Sequence, residues 1–186
     1  PILEKISAPS TLIFKAKTLA DEIDDAIRKF GVVKAQEQNL FAFEVDGYSS
    51  FLLMDDGNVP SLLSLPYMGY VSNTDAAYVA TRKVLLSEQN PYFFKGASFY
   101  GIGSPHTGWN NIWPMSIIMQ AFTSNNDQEI LDCLRMLRDS SNGFIHESFN
   151  KNNPGAYSRS WFAWANGLFG ELIMYLAREK PHLIFE

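Results

Sequence analysis

Apolar positions along the chain recur mainly at spacings of three and four, so helices dominate the expected structure. Leu12, Ala16, Leu19, Ile23, Ala26 and Phe30 form one such stripe. Asp21, Glu22, Asp24 and Asp25 take the opposite face, and Gly31 closes the helix. Ahead of it, residues 2–6 read as the tail of an element and residues 7–10, with Pro9, as a break. Asn73-Thr74-Asp75 predicts the cap of a helix running to about Ser87. Pro114 opens a helix through Phe122, and Asn126 and Asp127 open another that ends before Asn142-Gly143. The last helix is expected from about Arg159 to Arg178, with Phe162, Ala165, Phe169, Leu172 and Leu176 on one face. A short helix is also expected from Pro60, capped by Asn58 or Val59, bending or ending near Pro66.

Alternation replaces the helical period in one region. Residues 40–45 and the apolar run 51–54 flank a cluster of turn formers at 46–50, which predicts a short β-hairpin. Residues 90–108 are glycine-rich and expected to be irregular. No close repeat and no linker divides residues 1–186, so they are assigned to one unit. Helical hairpins whose alternate loops carry polar and aromatic residues suggest a mainly α chain, arranged as part of a helical toroid with its site at one rim. The six expected helices would make about half of a closed ring of twelve.

Composition narrows the possible partners. The net charge is −5, with no basic block, which argues against a nucleic-acid partner. No apolar run is long enough to span a membrane and no signal peptide is evident; a cytoplasmic location is the expectation. Cys133 lies inside the apolar pattern Ile130, Leu131, Leu134, Leu137 and reads as a buried inert thiol; the lack of a disulfide framework fits a reducing compartment. The chain begins at Pro1 rather than Met, which reads as a processed product or a fragment. Aromatic residues make up 14%, and Trp109, Trp113, Trp161 and Trp164 all lie near polar segments. Such rings stack on the C–H faces of sugars, although they fill cores more often.

Candidate chemistry centres on Gly143-Phe144-Ile145-His146-Glu147-Ser148-Phe149. Glu147 sits at the end of an element, ahead of a polar loop, where a carboxylate can act as a general base if it stays ionised. Taken alone, a loop Glu is most simply solvated. Asp55 and Asp56 lie between a strand and a helix start, where capping and ligand binding both remain open. His106, in Gly103-Ser104-Pro105-His106-Thr107, could donate to a hydroxyl or simply be exposed. Trp161 and Trp164, three residues apart, are expected to share a helix face, with Arg159 and Asn166 as a polar rim. No His-Glu-x-x-His spacing supports a metal site, no Gly-x-Ser-x-Gly elbow supports a serine hydrolase, and the glycines match neither phosphate-binding pattern.

Five segments in order carry a resemblance. They are Phe43-Glu44-Val45-Asp46-Gly47; Leu53-Met54-Asp55-Asp56-Gly57-Asn58-Val59-Pro60-Ser61-Leu62-Leu63-Ser64-Leu65-Pro66-Tyr67; Gly101-Ile102-Gly103-Ser104-Pro105-His106-Thr107; His146-Glu147-Ser148-Phe149; and Trp161-Phe162-Ala163-Trp164-Ala165-Asn166. Together they closely resemble glycoside hydrolase family 125, the metal-independent exo-α-1,6-mannosidases, from about Leu19 to Leu176. The resemblance implies the C-terminal half of an (α/α)6 barrel with a short β-hairpin, and inverting hydrolysis of a terminal non-reducing mannose. It implies no cofactor and no metal, with a mannose-containing oligosaccharide as partner. Glu147 falls on the family's general base. Asp55, Asp56, Asn58, His106, Thr107, His146, Arg159, Trp161 and Asn166 fall in pocket motifs and are implied to bind sugar or wall the pocket.

Two departures are small: Gly57 stands where the family usually has Ala, and Ser160 where it often has Pro. The larger departure is that the family's acid, an Asp in an upstream Arg-Pro-Ser-Asp-Asp-like stretch, has no counterpart here. The expectation is therefore a half that carries the base, is inactive alone and exposes two apolar flanks. A non-catalytic mannose-binding remnant and a structural half needing a separate N-terminal chain are the alternatives.

Overall fold

The computed structural model describes residues 2–35 and 37–185. Among them are six α-helices and nine short strands, in the order α1 (Ile2–Lys5), α2 (Ser10–Ala26), β1 (Val32–Ala35), β2 (Gln38–Phe41), β3 (Glu44–Val45), β4 (Phe51–Leu52), α3 (Ala76–Leu85), β5 (Phe93–Lys95), β6 (Tyr100–Ile102), β7 (Asn111–Ile112), α4 (Pro114–Phe122), α5 (Asp127–Asp139), β8 (Ser148–Asn150), β9 (Asn153–Ser158) and α6 (Ala163–Glu179). The chain is mainly helical, and the described helices do not close a barrel.

The core is built around α4. Met115, Ile117, Ile118, Met119 and Ala121 are all buried, because this largely apolar helix packs on both α5 and α6. Each of the Met and Ile side chains contributes roughly 1.5–3 kcal/mol of burial. Three helix starts, those of α3, α4 and α5, are the ones the sequence predicts. Asp75 caps α3 by accepting from the Tyr78 amide, Pro114 opens α4, and Asn126 caps α5 by accepting from the amides of Gln128 and Glu129. A half-buried ion pair, Arg82 Nη2 to Glu129 Oε1 at 2.9 Å, ties α3 to α5.

Helix α2 departs from this pattern. It and the single π-turn that follows, Ile27–Gly31, cover the predicted helix, yet none of their residues is buried. Leu12, Phe14, Leu19, Ile23 and Phe30 stand exposed. The apolar stripe is present but uncovered.

Four expectations are corrected. Residues 60–66 form turns rather than a helix, because nearby side chains capture the amides a helix would use. The Asp55 carboxylate takes those of Leu62 and Leu63, and the Ser61 and Ser64 hydroxyls accept from each other's backbone N–H. The apolar run 40–45 is split: β2 pairs with β1, while β3 pairs with β4 across the predicted turn. Residues 90–108 contain the β5–β6 hairpin. The last helix begins at Ala163, not Arg159, because Arg159 adopts φ +44° and Phe162 is extended. Trp161 consequently lies before the helix and does not share a helical face with Trp164.

A three-stranded antiparallel sheet, β7–β8–β9, forms where a polar loop was expected after Glu147. This sheet positions the candidate site.

Candidate active site

Glu147 immediately precedes β8, and its backbone is held from two directions. On one side the first turn of α6 grips Ile145. Asn166 Oδ1 accepts from the Ile145 amide at 3.0 Å, and Asn166 Nδ2 donates to the Ile145 carbonyl at 2.7 Å and to the Phe162 carbonyl at 2.8 Å. On the other side the Glu147 amide points at the carbonyls of Ser158 and Arg159, at 3.2 and 3.4 Å.

The carboxylate itself is 6% exposed. Its Oε2 accepts from the Ser158 hydroxyl at 2.9 Å, and its Oε1 lies 3.2 Å from Arg159 Nε. Burial of a carboxylate without such partners would cost several kcal/mol, and these two contacts supply them. Glu147 opens onto a shallow concavity of about 480 Å³, shared with His106, Thr107, Asn111, Ser148, Tyr157 and Ser158. It is the one carboxylate among the described residues that line this concavity.

The opposite wall is anchored by Trp113. This buried ring donates from Nε1 to Thr107 Oγ1 at 2.7 Å and meets His106 edge-on, with ring centroids 6.4 Å apart. Asn111 Nδ2 donates to the Thr107 carbonyl at 2.7 Å, closing the loop on itself. His106 is exposed and available to a ligand.

Other expected site residues are placed differently. Asp55 is fully buried; its oxygens accept from the amides of Leu62 and Leu63 at 3.0 and 2.9 Å, and it does not open onto this concavity. Burial pushes its carboxyl up to about 7, against the pull of those amides. Asp56 caps the Asn58 amide at 3.2 Å, and Asn58 Oδ1 is buried without a partner. His146 is buried; its Nδ1 pairs with the Ser160 carbonyl at 2.8 Å and its ring stacks on Tyr157 at 3.8 Å. Trp161 and Trp164 are half-exposed and outside this lining. Asn166 is spent on the backbone, as described above. Cys133 is buried, and burial pushes its thiol up, consistent with an inert side chain. No three of the described His, Cys, Asp and Glu side chains group as a metal-binding set.

Sequence reasoning missed Asn111, Tyr157 and Ser158. The available signal was Asn150-Lys151-Asn152-Asn153, a turn cluster that folds β9 back onto β8 and sets Ser158 opposite Ser148.

Comparison with known proteins decides the family. The family model described as metal-independent alpha-mannosidase (GH125) matches residues 1–174. The chain belongs to this family. The meiotically up-regulated gene 157 protein of Schizosaccharomyces pombe (strain 972 / ATCC 24843) is 50% identical over 169 residues, covering 89% of this chain and 33% of that protein. A solved Streptococcus pneumoniae metal-independent α-mannosidase, in a non-productive complex with α-1,6-mannobiose, superposes with a TM-score of 0.89 at 38% identity. That match covers 100% of this chain and 43% of the S. pneumoniae chain. The chain thus spans less than half the length of either of these two relatives.

One departure from the GH125 pattern has a structural counterpart. The Gly57 amide donates to the Gly103 carbonyl at 2.8 Å, drawing residues 55–58 against the site's far wall. A Cβ on Gly57 would fall 2.7 Å from Trp113 Cβ, and one on Gly103 would fall 2.2 Å from the Asn111 carbonyl oxygen. With this backbone, alanine at either position requires Trp113 or β7 to move. Ser160 contributes its carbonyl to His146, which a proline would equally supply.

Proposed function

We propose that this chain is the base-bearing part of an inverting exo-α-mannosidase that removes terminal non-reducing α-1,6-linked mannose. The observation that carries this reading is the setting of Glu147: a nearly buried carboxylate, hydrogen-bonded by Ser158 and paired with Arg159, facing an open polar concavity in a GH125 chain. Inversion needs a base to deprotonate water on one face of the sugar and an acid on the other, with the two carboxyls ~6.5–9.5 Å apart. Glu147 takes the water proton. His106 and Thr107 hold sugar hydroxyls from the far wall, with Asp56, Asn58, Arg159 and Trp161 contributing around the rim.

The acid comes from sequence outside this chain. Helices α2 to α6 belong to the C-terminal half of an (α/α)6 barrel in this reading, and the uncovered α2 stripe is the flank against which the first half packs. The isolated chain does not turn over substrate, because the leaving oxygen would depart as an unprotonated alkoxide.

The test is Glu147→Gln in a polypeptide that carries this chain together with the first half of the fold, assayed on α-1,6-mannobiose. Turnover falls at least ~10²-fold while binding is largely kept, because Gln preserves shape but cannot take the proton. Near-wild-type turnover moves the base elsewhere. A second reading, mannose binding without hydrolysis, is favoured by Glu147 being the one carboxylate in the described lining. Glycan binding with no turnover in the wild-type polypeptide, unchanged by Glu147→Gln, would select it.

A further inference from the structure

Resting on Glu147 as the base, we infer that Ser158 is a positioning residue for this carboxylate, and that Ser148 orients Ser158 in turn. The register of the β8–β9 pair places Ser148 directly opposite Ser158. Their hydroxyl oxygens lie 2.7 Å apart, and Ser158 Oγ lies 2.9 Å from Glu147 Oε2. Each hydroxyl has one proton to give. An ionised carboxylate can only accept, so Ser158 spends its proton on Glu147 and takes one from Ser148. The result is a directed chain: Ser148 donates to Ser158, and Ser158 donates to Oε2.

Ser158 holds the same residue a second time, through its carbonyl on the Glu147 amide at 3.2 Å. Side chain and main chain of Glu147 are therefore referenced to one strand. Among the described residues the other carboxylate oxygen has only Arg159, whose side chain is 63% exposed and thus loosely tethered. Ser148, by contrast, is 2% exposed. The buried hydroxyl pair sets the carboxylate's rotation, and the oxygen on the arginine side is the one left to approach water. Holding a base within a fraction of an ångström of its productive position is worth about 10- to 100-fold in rate.

The experiment compares Ser158→Val, Ser158→Thr and Ser148→Ala with Glu147→Gln in the full-length polypeptide, on α-1,6-mannobiose, with thermal melts confirming folding. Valine and threonine differ by the hydroxyl alone. Ser158→Val should lose about 10-fold or more in kcat, with KM within about threefold; Ser158→Thr should restore most of it; Ser148→Ala should show a smaller loss of the same kind. If Glu147→Gln is silent but a folded Ser158→Val retains wild-type kcat, or its defect lies in KM alone, or threonine fails to rescue, the positioning role is wrong and the base stands. If Ser158→Val does not fold, Ser148→Ala decides: a folded variant with unchanged kcat overturns the chain of hydroxyls. If Glu147→Gln retains turnover, the base assignment itself has failed.

Discussion

Asn166 and Ile145 hold each other at both of the isoleucine's backbone groups: the amide oxygen accepts at 3.0 Å and the amide nitrogen donates at 2.7 Å. This reciprocal pair joins the first turn of α6 to the strand approach two residues ahead of Glu147. Its effect on the site is mechanical, since any slack at Ile145 is inherited by the carboxylate.

Asn166→Ala should therefore affect stability as well as activity. It strips the partly buried Ile145 amide of its partner and its carbonyl of one donor, which costs about 1–3 kcal/mol. Urea unfolding should show a lower midpoint with the slope unchanged. Asn166→Asp, which keeps an acceptor but loses the donor, should fall between wild type and alanine. A midpoint unaltered by alanine would show that the Phe162 amide, which also donates to the Ile145 carbonyl at 3.1 Å, is sufficient.

Asp55 predicts a pH dependence. Its carboxyl is raised from 3.8 to about 7 by burial, so the folded state holds this proton more tightly than the unfolded chain does. The stability tied to that proton is fully present below about pH 4 and is lost as pH rises through about 7. Over that window wild type should lose on the order of 4 kcal/mol through this group, at about 1.4 kcal/mol per unit. Asp55→Asn cannot ionise and should flatten that part of the curve. Denaturant melts of both proteins at pH 4.5, 6 and 8 measure the difference; parallel curves would mean that the two amide hydrogen bonds outweigh burial.

The α2 stripe predicts self-association. Leu19 is 57% exposed and Ile23 50% exposed, on a helix with no buried residue. Expressed alone, the chain should sediment as oligomers, and Leu19→Lys with Ile23→Ser should shift it toward monomer with less than about 0.5 kcal/mol of lost stability. In a polypeptide with the proposed first half of the barrel present, the same pair should instead destabilise, because the proposed packing covers the stripe. Equal effects in both contexts would remove α2 from the barrel interface.

Chelation provides a further check. In a polypeptide with turnover, prolonged EDTA treatment followed by desalting should leave kcat within about twofold, since the proposed chemistry uses two carboxyls and no Lewis acid. A loss restored by added divalent cation would instead point to a metal-assisted reaction.

Much of the helical skeleton was legible because its signals are local. Asp75 and Asn126 bond to amides two or three residues away, and Pro114 presets its own dihedral, so neither needs the rest of the fold. The family motifs also singled out Glu147 from sequence alone. The 60–66 segment was misread because Asp55 competes for its amides from seven and eight residues away, outside any helical window. Likewise the run 40–45 carries one alternating pattern, but which strand each half joins depends on β1 and β4, segments too short to declare themselves.

What the sequence by itself determined was the family, the starts of α3, α4 and α5, the buried character of Cys133, and the residue proposed as the base. These follow from local hydrogen bonding, apolar periodicity and specific motifs. What only the tertiary structure decided was the company Glu147 keeps. Ser158 reaches it because β9 folds back on β8; His106 and Thr107 face it because Trp113 pins their loop; Asp55 and Asn166, similar in polarity, are turned into the backbone instead. A polar side chain goes wherever an unpaired backbone group or an open wall awaits it, and that destination is set by chain segments far away in sequence.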